Sequence, residues 1–75
     1  MVKIKVKLFA TLRLGRGKEI ELDIKEGTTV EEVIKIVGIE LKEIAIILRN
    51  GRDAALSTQL EDGDILSIFP AVGGG

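Results

Sequence analysis

Four apolar residues at alternate positions open the chain: Val2, Ile4, Val6 and Leu8, separated by Lys3, Lys5 and Lys7. Successive side chains of a strand point to opposite faces, so this pattern specifies a strand with one buried and one solvated face. A second alternation follows, with Ile20, Leu22 and Ile24 set between Glu19, Glu21, Asp23 and Lys25. Between them, Ala10 to Gly17 carries two glycines and two arginines and reads as a connection. In a hairpin of these two strands the lysine row lies beside the acidic row, and opposite charges across a strand pair stabilise it modestly.

Helical spacing follows at Val30, Val33, Ile34 and Val37. Thr29 with Glu32 three residues later forms a capping box, so the helix is expected to begin near Val30. Gly38 suits a left-handed helix stop. A helix of about eight residues is too short to persist alone and needs tertiary packing. Ile39 and Leu41 are expected to close the core beneath the next loop. The apolar run Glu43 to Arg49 reads as a central strand buried on both faces.

Asn50-Gly51 signals a two-residue hairpin turn, with Arg52 to Leu56 as the return strand. Glu61-Asp62-Gly63-Asp64 forms another turn. In the final strand, Ile65 to Phe69, Leu66 and Ile68 share one face and Ile65, Ser67 and Phe69 the other. The order β-β-α-β-β-β describes a two-layer α+β domain: a mixed four- to five-stranded sheet on one helix, with the first and last strands adjacent. One domain, residues 1–70, is expected, followed by a flexible glycine-rich tail, residues 71–75.

Eleven basic and twelve acidic residues leave a formal charge of −1, which argues against broad electrostatic binding to nucleic acid or membrane. The lysines of the first strand are a solvated strand face, since no aromatics are interleaved to stack bases. No apolar run approaches the length of a membrane span. The chain has no Cys, His, Tyr or Trp, so it has no disulfide and no thiol chemistry, and a cytoplasmic location is expected.

Catalytic constellations are missing as well. Ser57, Ser67 and the threonines have no neighbouring base motif. Asp53, Glu61, Asp62 and Asp64 do not match a calcium loop, and no metal site is expected. Gly15-Arg16-Gly17 follows no strand-to-helix junction and does not read as a phosphate loop. The remaining candidate is the carboxylate of Gly75. Pro70 cannot donate a ladder bond, so sheet pairing is expected to end there. The last six residues, fully extended, reach roughly 20 Å and can enter a narrow tunnel in a partner. A carboxylate becomes an acyl donor only once its oxygen joins a good leaving group, as in an acyl-adenylate. No motif here binds ATP, so that activation belongs to another protein.

The strand order, the Asn50-Gly51 turn, Leu60-Glu61-Asp62-Gly63-Asp64 and the terminal Gly74-Gly75 together resemble the ubiquitin-like sulfur carriers, the MoaD and ThiS proteins. Leu8-Phe9-Ala10-Thr11-Leu12-Arg13 and Ile68-Phe69-Pro70-Ala71-Val72 are similar to the MoaD opening and tail approach. Leu48-Arg49-Asn50-Gly51 also resembles archaeal small modifier proteins, and Val72-Gly73-Gly74-Gly75 resembles a ThiS ending.

The resemblance implies a ubiquitin-like β-grasp fold and a carrier, not an enzyme. An E1-like enzyme of the MoeB or ThiF type would use ATP to adenylate Gly75. A sulfur donor such as a cysteine desulfurase would then let it become a thiocarboxylate. The acceptor implied is a MoaE-type large subunit of molybdopterin synthase, or another acceptor such as one in thiamine synthesis or tRNA thiolation. As an archaeal modifier, the chain would instead be joined through Gly75 to target lysines. Phe9, Arg13, Phe69, Pro70 and Val72 would bind the partner, with Gly73 and Gly74 as the reach of the tail. Ordinary core packing remains an alternative for Phe9 and Phe69, and a solvated loop position for Arg13.

Overall fold

The computed structural model describes residues 1–71. Its strands are β1 (Val2–Leu8), β2 (Glu19–Ile24), β3 (Ile44–Arg49), β4 (Arg52–Asp53) and β5 (Ile65–Pro70). One α-helix, α1 (Val30–Val37), and two short 3-10 turns, Ala10–Arg13 and Leu41–Glu43, complete the order. The five strands form one sheet in the order β2-β1-β5-β3-β4. β1 and β5 are parallel, and the other three pairings are antiparallel. Among the described residues, no helix is long and apolar enough to cross a membrane.

Each alternation in the sequence becomes a sheet face. Val2, Ile4, Val6 and Leu8 are buried, while Lys3, Lys5 and Lys7 lie opposite Asp23, Glu21 and Glu19 of β2. Val30, Val33 and Ile34 of α1 join Leu66, Ile68 and the β1 residues in one core. The helix starts at the expected box: Thr29 Oγ1 accepts from Glu32 N–H at 3.3 Å, and Glu32 Oε1 accepts from Thr29 N–H at 3.1 Å. It stops at Gly38, whose φ of 87° favours a residue without a Cβ.

The asparagine–glycine hairpin also forms. Asn50 and Gly51 have φ of 51° and 82°, the twist that lets two strands return tightly. β4 is shorter than expected, ending at Asp53 instead of Leu56. Its continuation turns away to close the helix start, where Leu56 O accepts from Glu31 N–H at 3.0 Å and Thr58 O from Val30 N–H at 2.9 Å. Amides at a helix start have no intrahelical partner, and this loop supplies two.

Two further expectations are corrected. β3 is not the central strand: β5 is, flanked by β1 and β3. β3 is also not buried on both faces, since Ala45 and Ile46 are exposed. Ile39 is buried, but Leu41 is not, because it begins the 3-10 turn and Ile44 packs against the core in its place.

One buried carboxylate holds the loops to the sheet. Asp64 accepts from Arg49 Nε at 2.7 Å, Asn50 Nδ2 at 2.9 Å and Glu61 N–H at 2.8 Å. Arg49 also reaches Glu61 at 2.9 Å. Burial opposes ionisation of Asp64, but these hydrogen bonds together outweigh it and hold the carboxyl below its usual range. Next to it, Asp62 Oδ1 accepts from Lys3 N–H and Lys3 O accepts from Gly63 N–H, both at 2.8 Å.

Because the folded pKa of Asp64 lies below the unfolded value, the site's contribution is fully present above about pH 4 and is lost as pH falls through the folded value. Asp64→Ala leaves buried donors unpaired, with an expected cost of about 1–3 kcal/mol at pH 7. Thermal melts of the two proteins should converge as pH is lowered towards 2, whereas a gap independent of pH would show that the charge on Asp64 contributes nothing.

Candidate functional site

The parallel register of β1 and β5 pairs Leu8 with Ile68, both buried. The next residue on each strand, Phe9 and Phe69, therefore turns to the face away from α1. Their rings stack with centroids 4.2 Å apart and planes 10° from parallel. Both are half-buried. They are thus neither core residues nor isolated surface aromatics, but one flat apolar plate at the end of the sheet.

Arg13 completes this plate. The 3-10 turn Ala10–Arg13 is anchored by Leu12, which is buried in the core. That anchoring folds Arg13 back, so that its Nε donates to Leu8 O at 2.8 Å and its guanidinium carbon lies 5.5 Å from the Phe9 ring centroid. A cation over an aromatic face is attracted to the ring's electron density. Arg16 steadies the same turn from below, donating to Leu12 O at 3.3 Å and to Gly38 O at 2.9 Å. Arg13 is exposed and makes no ion pair among the described residues.

Pro70 ends β5 opposite Ile44 and is half-buried. One more backbone bond follows, from Ala71 N–H to Glu43 O at 2.9 Å. The chain therefore leaves the sheet beside the start of β3, two residues past Phe69. Val72, Gly73, Gly74 and Gly75 lie outside the described residues.

The structure adds Ile46, which the sequence reading took as buried. Ile46 pairs with Phe69 across β3 and β5, so it shares the helix-free face, and it is exposed. Its position could have been read from alternation only with the partner strand and register known. Among the described residues, no group of three or more His, Cys, Asp or Glu could hold a metal ion. The Phe9–Phe69–Ile46 surface offers apolar area with the Arg13 guanidinium held at its edge. It is suited to bind a partner, and Lys7, Lys18 and Glu19 line the depression beside Phe9 and Arg13.

Comparison with known proteins gives this geometry its context. The ThiS family model matches residues 6–75. Small archaeal modifier protein 3 of Haloferax volcanii is 30% identical, with 99% of this chain and all of that protein covered. Among solved structures, small archaeal modifier protein 1 of H. volcanii superposes with a TM-score of 0.83 at 26% identity, covering 96% of this chain and 100% of the other. A Pyrococcus furiosus protein assigned as subunit 1 of a molybdopterin converting factor gives 0.82 at 30% identity, with the same two coverages. The helix packed on a mixed sheet is the ubiquitin-like β-grasp fold, and this chain belongs to the ThiS family of ubiquitin-like sulfur carriers and modifiers.

Proposed function

We propose that the chain is a protein cosubstrate whose reactive group is the carboxylate of Gly75. The observation that carries this reading is the family match, which spans residues 6–75. An E1-like enzyme adenylates the carboxylate: a carboxylate oxygen attacks the α-phosphorus of ATP and pyrophosphate leaves. The terminal sulfur of a persulfide on a donor such as a cysteine desulfurase then attacks the carbonyl carbon and displaces AMP, and a thiolate cleaves the resulting acyl disulfide, leaving as a disulfide with the donor cysteine. The product is a thiocarboxylate. Glycine places no side chain beside that carbon, so attack is unhindered.

The folded body acts as the handle. The stacked Phe9 and Phe69 with Ile46 form the contact that the activating enzyme desolvates, and Arg13 pairs with an acidic group at its margin. β5 ends at Pro70, Ala71 makes one further bond to Glu43, and Val72 to Gly75 reach into the enzyme's site. The acceptor we favour is the large subunit of molybdopterin synthase, on the similarity to the P. furiosus protein at 30% identity. A second reading is supported by the similarity to the two archaeal modifier proteins. In it, a lysine amine of a target displaces AMP and Gly75 ends in an isopeptide bond.

Intact-mass measurement separates these readings. With its activating enzyme, ATP and a sulfur source, the chain should gain the mass difference between a sulfur and an oxygen atom. No gain with an active enzyme would sink the carrier reading. Deleting Gly74 and Gly75 should abolish the gain and leave the melting temperature unchanged. In cell extracts, conjugation would appear after trypsin as residues 53–75 attached to a target lysine, because Arg52 is the last basic residue.

Phe69→Ala should weaken binding to the activating enzyme by about 2 kcal/mol, roughly 30-fold, as expected of a central aromatic anchor. Calorimetric titration reads this directly, and unchanged affinity would move the docking surface elsewhere.

A further inference from the structure

β3 is composed like a strand with neighbours on both sides, yet it has a full neighbour on one. β5 pairs with it from Ile44 to Arg49. β4 covers only Leu48 and Arg49, with one further bond from Ala54 N–H to Ile47 O at 3.1 Å. Among the described residues, no strand pairs with the outer edge of Ile44 to Ile46. An uncharged, open edge is a template for another strand, and proteins ordinarily blunt such edges with charge. β2, the opposite edge of this sheet, follows that rule with Glu19, Glu21 and Asp23. β3 carries Ile44, Ala45, Ile46, Ile47 and Leu48 in a row.

The apolar surface at this edge is continuous. A groove of about 380 Å³ runs along it. On its walls, Ile46 is 49% exposed, Leu41 41% and Leu56 37%, large side chains that water contacts for want of a partner. Leu41 and Ile46 were both expected to be buried from their sequence surroundings.

We propose that this edge is covered by a second copy of the chain, with two β3 strands running antiparallel about a two-fold axis. The charges at the two ends of the strand favour this occupant. Lys42 precedes β3, and Asp53 lies opposite Leu48 at its far end. A two-fold axis through the open edge sets the start of one β3 against the far end of the other. Lys42 of each copy then faces Asp53 of its mate. Lys42 makes only an exposed pair with Glu40 at 3.5 Å, and Asp53 makes no ion pair among the described residues. Such a contact is self-complementary, as a two-fold interface must be, and it closes on itself without leaving a second edge of the same kind. The register shift between Ile44 and Ile46 keeps the shared ladder short, so the apolar side chains supply most of the area.

Sedimentation velocity of the full chain, followed from micromolar to about 1 mM, is the test. A concentration-dependent dimer is expected. Ile46→Lys should make it monomeric. Lys42→Glu and Asp53→Lys should each raise the dimer dissociation constant about tenfold, since each replaces two attractions by two repulsions. Mixing those two variants should restore the dimer, because the mixed pair again sets opposite charges at both ends. That rescue also shows both variants to be folded. Two results overturn the proposal: a wild-type chain that stays monomeric throughout, which leaves the edge to a strand of another protein, or a mixture no more associated than its components.

Discussion

A parallel strand pair cannot be closed by a hairpin, so the chain must cross from one end of the sheet to the other between its two members. Here those members are β1 and β5, the first and last strands. Helix α1, β3 and β4 all lie within the crossing, and the apolar faces of β1 and β5 form the floor on which α1 packs. The same pairing decides the surface. Because both strands run the same way, their ends fall together, and residues 60 positions apart in sequence become the stacked pair Phe9 and Phe69.

Parallel pairing needs its register held at the other end as well, and the acidic turn before β5 does this. Asp62 and Gly63 bond both backbone groups of Lys3, and Asp64 O accepts from Lys5 N–H at 3.0 Å. The Asp64 side chain meanwhile binds Arg49 and Asn50 at the β3–β4 turn. One short segment thereby ties β1, β5 and the β3 hairpin to a common origin. A shift of one residue in β5 would break all of these bonds and turn Leu66 and Ile68 out of the core. The carboxylate is well suited to this because it accepts several bonds at once, and its charge compensates for its burial only while all of them are made.

Local pattern made some of this legible and not the rest. Strand alternation at Val2 to Leu8, the box at Thr29 and Glu32, the Asn50-Gly51 turn and the opposed faces of Leu66 and Phe69 are properties of a few adjacent residues, and each appears in the structure where it was read. The place of β3 in the sheet is a different kind of fact. An apolar run records how much surface a strand must cover and does not identify the molecule that covers it. The role of Asp64 was hidden for a related reason: its partners Arg49 and Asn50 lie on another hairpin, and only the turn chemistry of Asp62-Gly63-Asp64 is local. Phe9 and Phe69 were legible singly, whereas their stacking depends on the β1–β5 register, which no periodicity within either strand contains. Arg13 was a loop cation until Leu12 anchored its turn.

The helix-free face of the sheet is divided. Its β1–β2 half sets Lys3, Lys5 and Lys7 beside Asp23, Glu21 and Glu19, with an exposed ion pair of Lys5 and Glu19 at 3.9 Å. Its β5–β3 half is apolar and open, from Phe9 through Phe69 to Ile46. Ile46 belongs both to that plate and to the open edge of β3. A partner seated on Phe69 and a second copy seated on β3 would therefore bury the same side chain. In a molecule of 75 residues little surface is left for separate interfaces. On the function and the dimer proposed above, a second copy and the docking partner compete for one surface.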